Sequence, residues 1–195
     1  MKRVIMTMVL VFMTILSVSA QENEFYVKSM LGGTLSALTK IDNAKMKLGL
    51  VAGGELCYHL SKPFAVSSGL LISMQGAKFK DKVDKNKVLS TLTYINVPIL
   101  ANYYVVPGLA MKAGIQPGYL LSTKAYLKSD SYNNYPEALV NGLWKLDLSI
   151  PLGISYEFSD FVFDFRYNMG ISRISKHGDA YNSVFMLTFG YKSFF

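Results

Sequence analysis

The sequence predicts an all-β fold, an eight-stranded antiparallel up-and-down transmembrane β-barrel. Apolar and polar side chains alternate with a period of two in eight segments, as they do along strands whose two faces meet different surroundings. The segments exceed the about 9–11 residues that a tilted strand needs to cross a bilayer. Hydrophobic residues make up 51% of the chain and charged residues only 17%, a balance that is apolar for a soluble domain.

Residues 1–20 have the composition of an export signal. Lys2 and Arg3 precede a nearly uninterrupted apolar run, and a small-residue cleavage site ends at Ala20. A helix needs about 20 apolar residues to span a bilayer, and this run is shorter. We therefore expect a cleaved signal peptide at 1–20 and a barrel domain at 21–195. The chain has one cysteine, so an intrachain disulfide cannot form.

The first four strands are predicted before residue 106. Alternation is visible in each, for example where Leu48 and Leu50 face one side and Lys47 and Gly49 face the other. Pro98 weakens the fourth strand, because proline cannot donate a ladder hydrogen bond. The predicted ranges are 25–35, 46–58, 64–75 and 94–105.

The last four strands follow the Val106-Pro107-Gly108 turn. The sixth alternates most cleanly, with Leu152 and Ile154 opposite Gly153 and Ser155. The predicted ranges are 109–121, which Pro117 weakens, 144–158, 161–172 and 183–195.

The intervals between these strands alternate in length. The short ones are 59–63, 106–108 and 159–160, and the long ones lie near 36–45, 76–93, 122–143 and 173–182. Short turns face the periplasm and long loops face outward in bacterial outer-membrane barrels. The pattern therefore predicts loops outward and both termini on the periplasmic side.

Two features favour a membrane barrel over a soluble eight-stranded barrel. Glycines lie mainly on the polar parity, which suits a crowded barrel interior. Aromatic residues gather at strand ends, as expected for interfacial girdles. The periplasmic girdle would contain Tyr58, Phe64, Tyr103, Phe158, Phe161 and Phe195, and the outer girdle Tyr94, Tyr119 and Trp144.

The segment 183–195 resembles the closing strand of outer-membrane barrels. Its apolar row includes Phe189 and Tyr191 and ends at Phe195. The final aromatic residue of such strands is recognised by the barrel-assembly machinery. The resemblance implies that Tyr191 and Phe195 form an assembly signal and that this machinery is a partner.

Four segments extend the resemblance over most of the barrel domain: YINVPIL at 94–100, AGIQPG at 113–118, DLSIPLG at 147–153 and GYKSFF at 190–195. They resemble the porin-family, PorT-like outer-membrane β-barrel domain, with the small-barrel architecture of OmpX and OmpA. The resemblance implies a location in the outer membrane of a Gram-negative cell. The word porin in the family label does not by itself imply a pore.

Charged residues on the polar parity predict an interior polar network. Isolated charges in a lumen are costly, so opposite charges should pair across strands, and Asp164 with Lys192 is one such pairing. The network consists of Lys28, Glu55, Lys112, Asp147, Glu157, Asp164, Arg166 and Lys192, and the same parity places Lys47 and Lys145 inward. A plug of salt bridges is favoured over an ion or proton path, because eight strands leave an interior just wide enough for side chains.

The sequence predicts no catalytic site, no metal and no cofactor. His59 and His177 fall at opposite ends of the predicted barrel. A lipid-modifying enzyme would need His177 to act with Ser175 or Asp179, residue types that are common in loops. Cys57 should be an inert thiol packed in the lumen.

A lysine-rich interval is the candidate surface for anions. It contains Lys78, Lys80, Lys82, Lys85 and Lys87, which could contact lipopolysaccharide or simply be solvated. Nucleic-acid binding is disfavoured, because exposed aromatic residues are not interleaved with these basic residues. We expect the protein to be a monomer. Its expected partners are outer-membrane lipid, lipopolysaccharide and an unidentified protein at the outer loops.

These observations favour a barrel with a plugged polar interior that is a structural, surface-interaction or assembly-associated component. A narrow porin-like channel for small solutes or ions is the alternative. A lipid-modifying outer-membrane enzyme is a second alternative, with less support.

Overall fold

The computed structural model describes residues 25–39, 44–80, 87–127, 142–176 and 179–194. In these ranges the alternating segments form ten β-strands, all paired antiparallel. They are β1 (Phe25–Thr39), β2 (Ala44–Lys45), β3 (Lys47–Ser61), β4 (Phe64–Lys80), β5 (Lys87–Asn96), β6 (Ile99–Val106), β7 (Leu109–Leu127), β8 (Leu146–Phe158), β9 (Phe161–Gly170) and β10 (Tyr181–Phe194).

The strands close into a ring, because β1 pairs with β3 on one side and with β10 on the other. β5 and β6 both lie between β4 and β7 and together make one crossing, interrupted at Val97 and Pro98. β2 is a short ladder on β4 beside the start of β3. The described strands thus make eight crossings in up-and-down order, and the predicted barrel is confirmed. Closure removes the free edges of the sheet.

Several strands extend beyond their predicted ends. β3 reaches Ser61, β4 pairs with β5 as far as Lys80 opposite Lys87, and β7 continues to Leu127. The long intervals predicted near 76–93 and 122–143 are therefore too long. Hydropathy alternates only where one face contacts lipid, whereas a backbone ladder can continue into polar sequence beyond the membrane.

The two faces of the barrel invert the usual distribution of polarity. Large apolar side chains such as Leu48, at 70% exposure, cover the outside, while Lys28, Glu55 and Arg166 are buried inside. Such a surface suits contact with lipid rather than water. Within the described ranges, no helix is long and apolar enough to cross a membrane.

Close packing inside the wall explains the glycines on the inward parity. A Cβ atom at Gly69 would overlap the carbonyl oxygen of Gly54, and one at Gly114 would overlap that of Ile99. These positions let neighbouring backbones approach closely where a side chain would not fit.

The two ends of the barrel differ. Three tight turns, at 62–63, 107–108 and 159–160, lie at one end, which we call the short-turn end; the opposite end is the long-loop end. Aromatic pairs mark the short-turn end, with Phe64 and Tyr103 ring centroids 5.1 Å apart. Trp144 and Tyr119 are exposed toward the long-loop end.

The prediction that Tyr94 belongs to the outer girdle is wrong. Tyr94 has 0% exposure and lies inside the barrel, packed with Leu92 and Leu120. It shares the inward parity of Asn96, and strand parity decides which face a side chain takes.

Candidate functional site

The most highly charged part of the lumen is a cluster of five buried residues on four strands. We call Lys28, Glu55, Lys112, Asp164 and Arg166 the ion cluster. The Arg166 guanidinium binds both Glu55 oxygens, with Nη2 2.9 Å from Oε2 and Nη1 on Oε1. It also binds Asp164, with Nε 2.6 Å from Oδ1 and Nη2 2.8 Å from Oδ2. Such two-point contacts use the planar fork of arginine on two carboxylates at once.

Two lysines complete the ion cluster. Lys28 Nζ lies 2.8 Å from Glu55 Oε2 and 3.4 Å from Asp164 Oδ2, and Lys112 Nζ lies 2.6 Å from the same Asp164 oxygen. Lys28 and Glu55 are direct neighbours in the β1–β3 register. Arg166 and Asp164 share β9. The remaining pairs join strands that are not adjacent, since β1 and β10 separate β3 from β9, β10 separates β1 from β9, and β8 separates β7 from β9. The ion cluster therefore crosses the lumen.

The formal charges in the ion cluster do not cancel. Three cations face two carboxylates, so the cluster carries one excess positive charge when every group is ionised. Removing charges from water is costly, and the cost is recovered only when each ion keeps close partners. The loss of a carboxylate would enlarge the imbalance, whereas the loss of a lysine would remove it.

A second polar layer lies toward the short-turn end. Glu157 accepts hydrogen bonds from the hydroxyls of Tyr26, at 3.0 Å, and Tyr104, at 2.7 Å, and pairs with Lys192 Nζ at 3.0 Å. The two tyrosine hydroxyls lie 3.3 Å apart, and the His59 ring packs 5.1 Å from that of Tyr104. Because β1 and β6 are not adjacent in the ring, this layer also crosses the lumen.

The lumen toward the long-loop end combines one carboxylate with apolar packing. Asp147 accepts hydrogen bonds from Ser172 Oγ and Asn182 Nδ2, each at 2.7 Å. The neighbouring apolar cluster comprises Leu92, Tyr94, Leu120, Ile174 and Ala180. A further buried apolar cluster comprises Met30, Val51, Leu71 and Met186. Ionic, aromatic and apolar side chains thus fill successive parts of the lumen.

The structure rearranges the pairings that the sequence predicts. Lys192 pairs with Glu157 rather than with Asp164, because the register sets Asp164 opposite Thr188. Lys47 is buried as expected, with Nζ 2.7 Å from Thr91 Oγ1. Lys145 is exposed rather than inward, because β8 begins only at Leu146.

Sequence reasoning missed the aromatic part of the second layer. Tyr26 shares the inward parity of Lys28, and Tyr104 shares that of Asn102, so both were identifiable as lumen residues. His59 was expected in a turn, but β3 continues through it to Ser61. Which of these aromatic side chains contacts Glu157 depends on the arrangement of strands across the barrel, and strand parity carries no information about that arrangement.

Some predicted residues lie beyond what the structure describes. These are the signal peptide at 1–20, Lys82, Lys85, His177, Phe195 and the side chains of Lys78, Lys80 and Lys87. The backbones of the last three belong to the β4–β5 ladder. Tyr191 is exposed on the outer face, with its ring 5.7 Å from that of Phe161. Among the described residues, no group of three metal-ligating side chains converges.

An apolar exterior around a filled polar lumen defines a small outer-membrane β-barrel. The chain belongs to the outer membrane protein beta-barrel domain family, whose model matches residues 19–176. The protein is therefore located in the outer membrane. PorT-like membership within this family stays a prediction.

Solved structures with the same fold are distant in sequence. Ail, the attachment invasion locus protein of Yersinia pestis, superposes with a TM-score of 0.51 at 16% identity, over 88% of this chain and 100% of Ail. Neisserial surface protein A superposes with a TM-score of 0.51 at 10% identity, over 87% of this chain and 97% of that one. No curated protein matches the sequence. At these identities the similarity shows the fold alone.

Proposed function

We propose that this protein is a closed, non-conducting outer-membrane barrel that acts through its long-loop end as a structural, surface-interaction or assembly-associated component. The observation that carries the proposal is the ion cluster, which joins β3, β1 and β7 to β9 across the lumen. Eight strands leave an interior just wide enough for side chains, and here those side chains bind one another.

A narrow channel is less well supported. Ions need a continuous hydrated path lined by groups that bind weakly enough to release them. In this lumen the ion cluster and the Tyr26–Tyr104–Glu157 layer lie in succession, and both would have to open. The Arg166 contacts with two carboxylates are the strongest kind of hydrogen bond that such an opening would break.

A lipid-modifying activity also has little support. Asp179 is bound by Arg173, with Nε 2.9 Å from Oδ1. Ser175 forms a backbone bridge with Leu143. Asp179, a candidate partner of the histidine in such a site, is thus engaged by a cation. We therefore propose a non-enzymatic role.

The test is conductance of the purified protein in a planar bilayer. The unmodified protein should give near-zero conductance, and so should Arg173→Ala, which removes an exposed ion pair outside the lumen. Arg166→Ala removes the residue that holds Glu55 to Asp164, and any leak should appear in this variant. Steady, ion-selective currents through the unmodified protein that change with Arg166→Ala would contradict the closed-barrel proposal.

We also propose the barrel-assembly machinery as a partner. The support is the aromatic row of β10, in which Tyr191 faces outward and which runs toward Phe195. Deleting Phe195 should lower the amount of heat-resistant folded barrel in the membrane fraction and leave protein in the periplasm. Normal membrane levels of the deletion variant would refute this role.

A further inference from the structure

The lumen toward the long-loop end contains a buried carboxylate without a counter-charge. The other described lumen carboxylates, Glu55, Asp164 and Glu157, each pair with a lysine or an arginine. Asp147 has only 8% exposure, and within the described ranges its contacts are hydrogen bonds from neutral groups. A buried charge without a partner of opposite charge is costly. Asp147 is therefore the one described lumen carboxylate whose charge no described side chain compensates.

The hydrogen bonds at Asp147 are those of an ionised carboxylate. Ser172 Oγ accepts a hydrogen bond from Leu148 N at 2.6 Å, so its proton is available to Asp147 Oδ1, 2.7 Å away. Asn182 Nδ2 donates to the other carboxylate oxygen, Oδ2, at 2.7 Å. Both oxygens of Asp147 act as acceptors, and only the ionised carboxyl group is purely an acceptor. Asp147 thus brings one negative charge into the lumen.

Two buried oxygen atoms near Asp147 have no hydrogen-bond partner in the described part of the chain. Because Asn182 turns its nitrogen toward Asp147, its Oδ1 points elsewhere and meets no donor. The Tyr94 hydroxyl lies close to Asn182 but makes no hydrogen bond. Both side chains are almost completely buried, with 3% and 0% exposure. Buried polar atoms nearly always have a partner, so these two oxygens indicate a bound ligand.

The strand register brings these groups to one place. Gly118 on β7 pairs with Asp147 on β8 and, on its other side, with Asn96 on β5. A Cβ atom at Gly118 would lie 3.6 Å from Tyr94 Cδ1 and only 2.6 Å from Asn96 Oδ1. The missing side chain at Gly118 therefore leaves room for the Tyr94 ring beside Asp147.

The chemistry of the site selects a monovalent cation. Its groups are one carboxylate and two neutral oxygens, and oxygen ligands suit hard cations. A single positive charge neutralises a single carboxylate, whereas a divalent ion would leave an excess of charge. No group of three acidic, histidine or cysteine side chains converges in the described ranges, as a divalent site of that kind would require. Water alone would satisfy the two oxygens and leave the charge of Asp147 uncompensated.

We propose that the long-loop end of the lumen binds one alkali-metal ion, sodium or potassium, at Asn182 Oδ1 and the Tyr94 hydroxyl oxygen, with Asp147 as its counter-charge. The ion has the role that a lysine or an arginine has beside the other lumen carboxylates. It stabilises the folded barrel, because the site exists only in the folded state. The site lies nearer the long-loop end than the ion cluster, so it does not depend on whether the lumen conducts.

Sodium nuclear magnetic resonance tests the site directly. The purified protein is placed in a zwitterionic detergent, and the sodium linewidth is measured during a titration with sodium chloride. N-methylglucamine chloride keeps the ionic strength constant. We expect a saturable broadening that potassium chloride reverses by competition. N-methylglucamine is too large for a buried site and should not reverse it.

Two variants and a matched control make the test specific. Asp147→Asn removes the charge at nearly constant size and should weaken sodium binding by about tenfold or more. Tyr94→Phe removes one ligand oxygen without changing any charge and should weaken binding several-fold, which keeps the test valid if Asp147→Asn does not fold. Asp179→Asn is the control, because it neutralises an exposed carboxylate that binds Arg173. It should leave the broadening unchanged.

Three kinds of result would overturn the proposal. The absence of saturable broadening with the folded, unmodified protein would show that water alone fills the site. Broadening that persists unchanged in Asp147→Asn or Tyr94→Phe would place the bound sodium elsewhere. Reversal by N-methylglucamine would identify an exposed, unselective site instead of a buried one.

Discussion

The lumen and the lipid-facing wall differ within a single strand of this protein. On β9, Arg166 has 1% exposure and binds two carboxylates, while the adjacent Phe165 has 43% exposure and stacks on Phe185 with ring centroids 6.2 Å apart. Inside, stability depends on each ion keeping its partners in position. Outside, it depends on the transfer of apolar area into lipid, which tolerates many arrangements. Stability should therefore depend on the identity of particular residues in the lumen, but only on the hydrophobicity of the residues on the lipid-facing wall.

The largest effect is expected when the ion cluster loses a carboxylate. Glu55→Gln leaves three cations against Asp164 alone, and the loss of one partner of a buried ion pair costs about 3–5 kcal/mol. The free energy of unfolding, measured by denaturant titration in lipid vesicles, should fall by that amount. Lys112→Met is the matched control. It leaves two cations against two carboxylates, and it should cost much less. Equal losses in both variants would show that net charge does not govern the stability of the lumen.

A charge placed on the wall should have the next largest effect. Phe165→Arg puts a guanidinium on the lipid-facing side of β9, and arginine near the bilayer midplane costs about 2–4 kcal/mol. Phe165→Leu, which keeps the site apolar, should remain close to the unmodified protein in the same titration. If Phe165→Leu were as destabilising as Phe165→Arg, the wall would depend on particular ring contacts, and the contrast with the lumen would be lost.

Neighbouring tyrosines provide a smaller and more selective comparison. Tyr104→Phe removes a 2.7 Å hydrogen bond to Glu157, and a hydrogen bond to a charged group contributes about 1.5–3 kcal/mol. Tyr103→Phe makes the same chemical change on the exposed face of the same strand and should have almost no effect. A loss of stability in Tyr103→Phe as large as that in Tyr104→Phe would be inconsistent with the inward layer.

Orientation can be tested with no expected change in stability. In a Cys57→Ser background, Asn133→Cys lies in the long interval between β7 and β8, and Lys62→Cys lies in a tight turn at the short-turn end. A membrane-impermeant maleimide should label Asn133→Cys in intact cells and Lys62→Cys only after lysis. The reverse pattern would place the long-loop end in the periplasm and invert the topology.

The amino-acid sequence alone determines which face each side chain takes. A strand alternates faces with every residue, so parity predicts that Lys28, Glu55, Lys112 and Arg166 are inward and that Leu48 and Phe163 are outward. The same alternation, repeated eight times with short and long intervals, predicts the closed barrel. Lys145 was expected inward but is exposed, because the predicted strand 144–158 begins two residues before β8, which starts at Leu146.

Only the tertiary structure decides which inward residues meet. Lys192 binds Glu157, Asp164 binds Lys112, and Tyr94 packs with Leu120 and Ile174 because the strand register and the ring order bring these residues together. Neither quantity is contained in the pattern of one strand. Register is set by how far each strand slides along its neighbour, and a slide of two residues keeps every face correct while changing every partner.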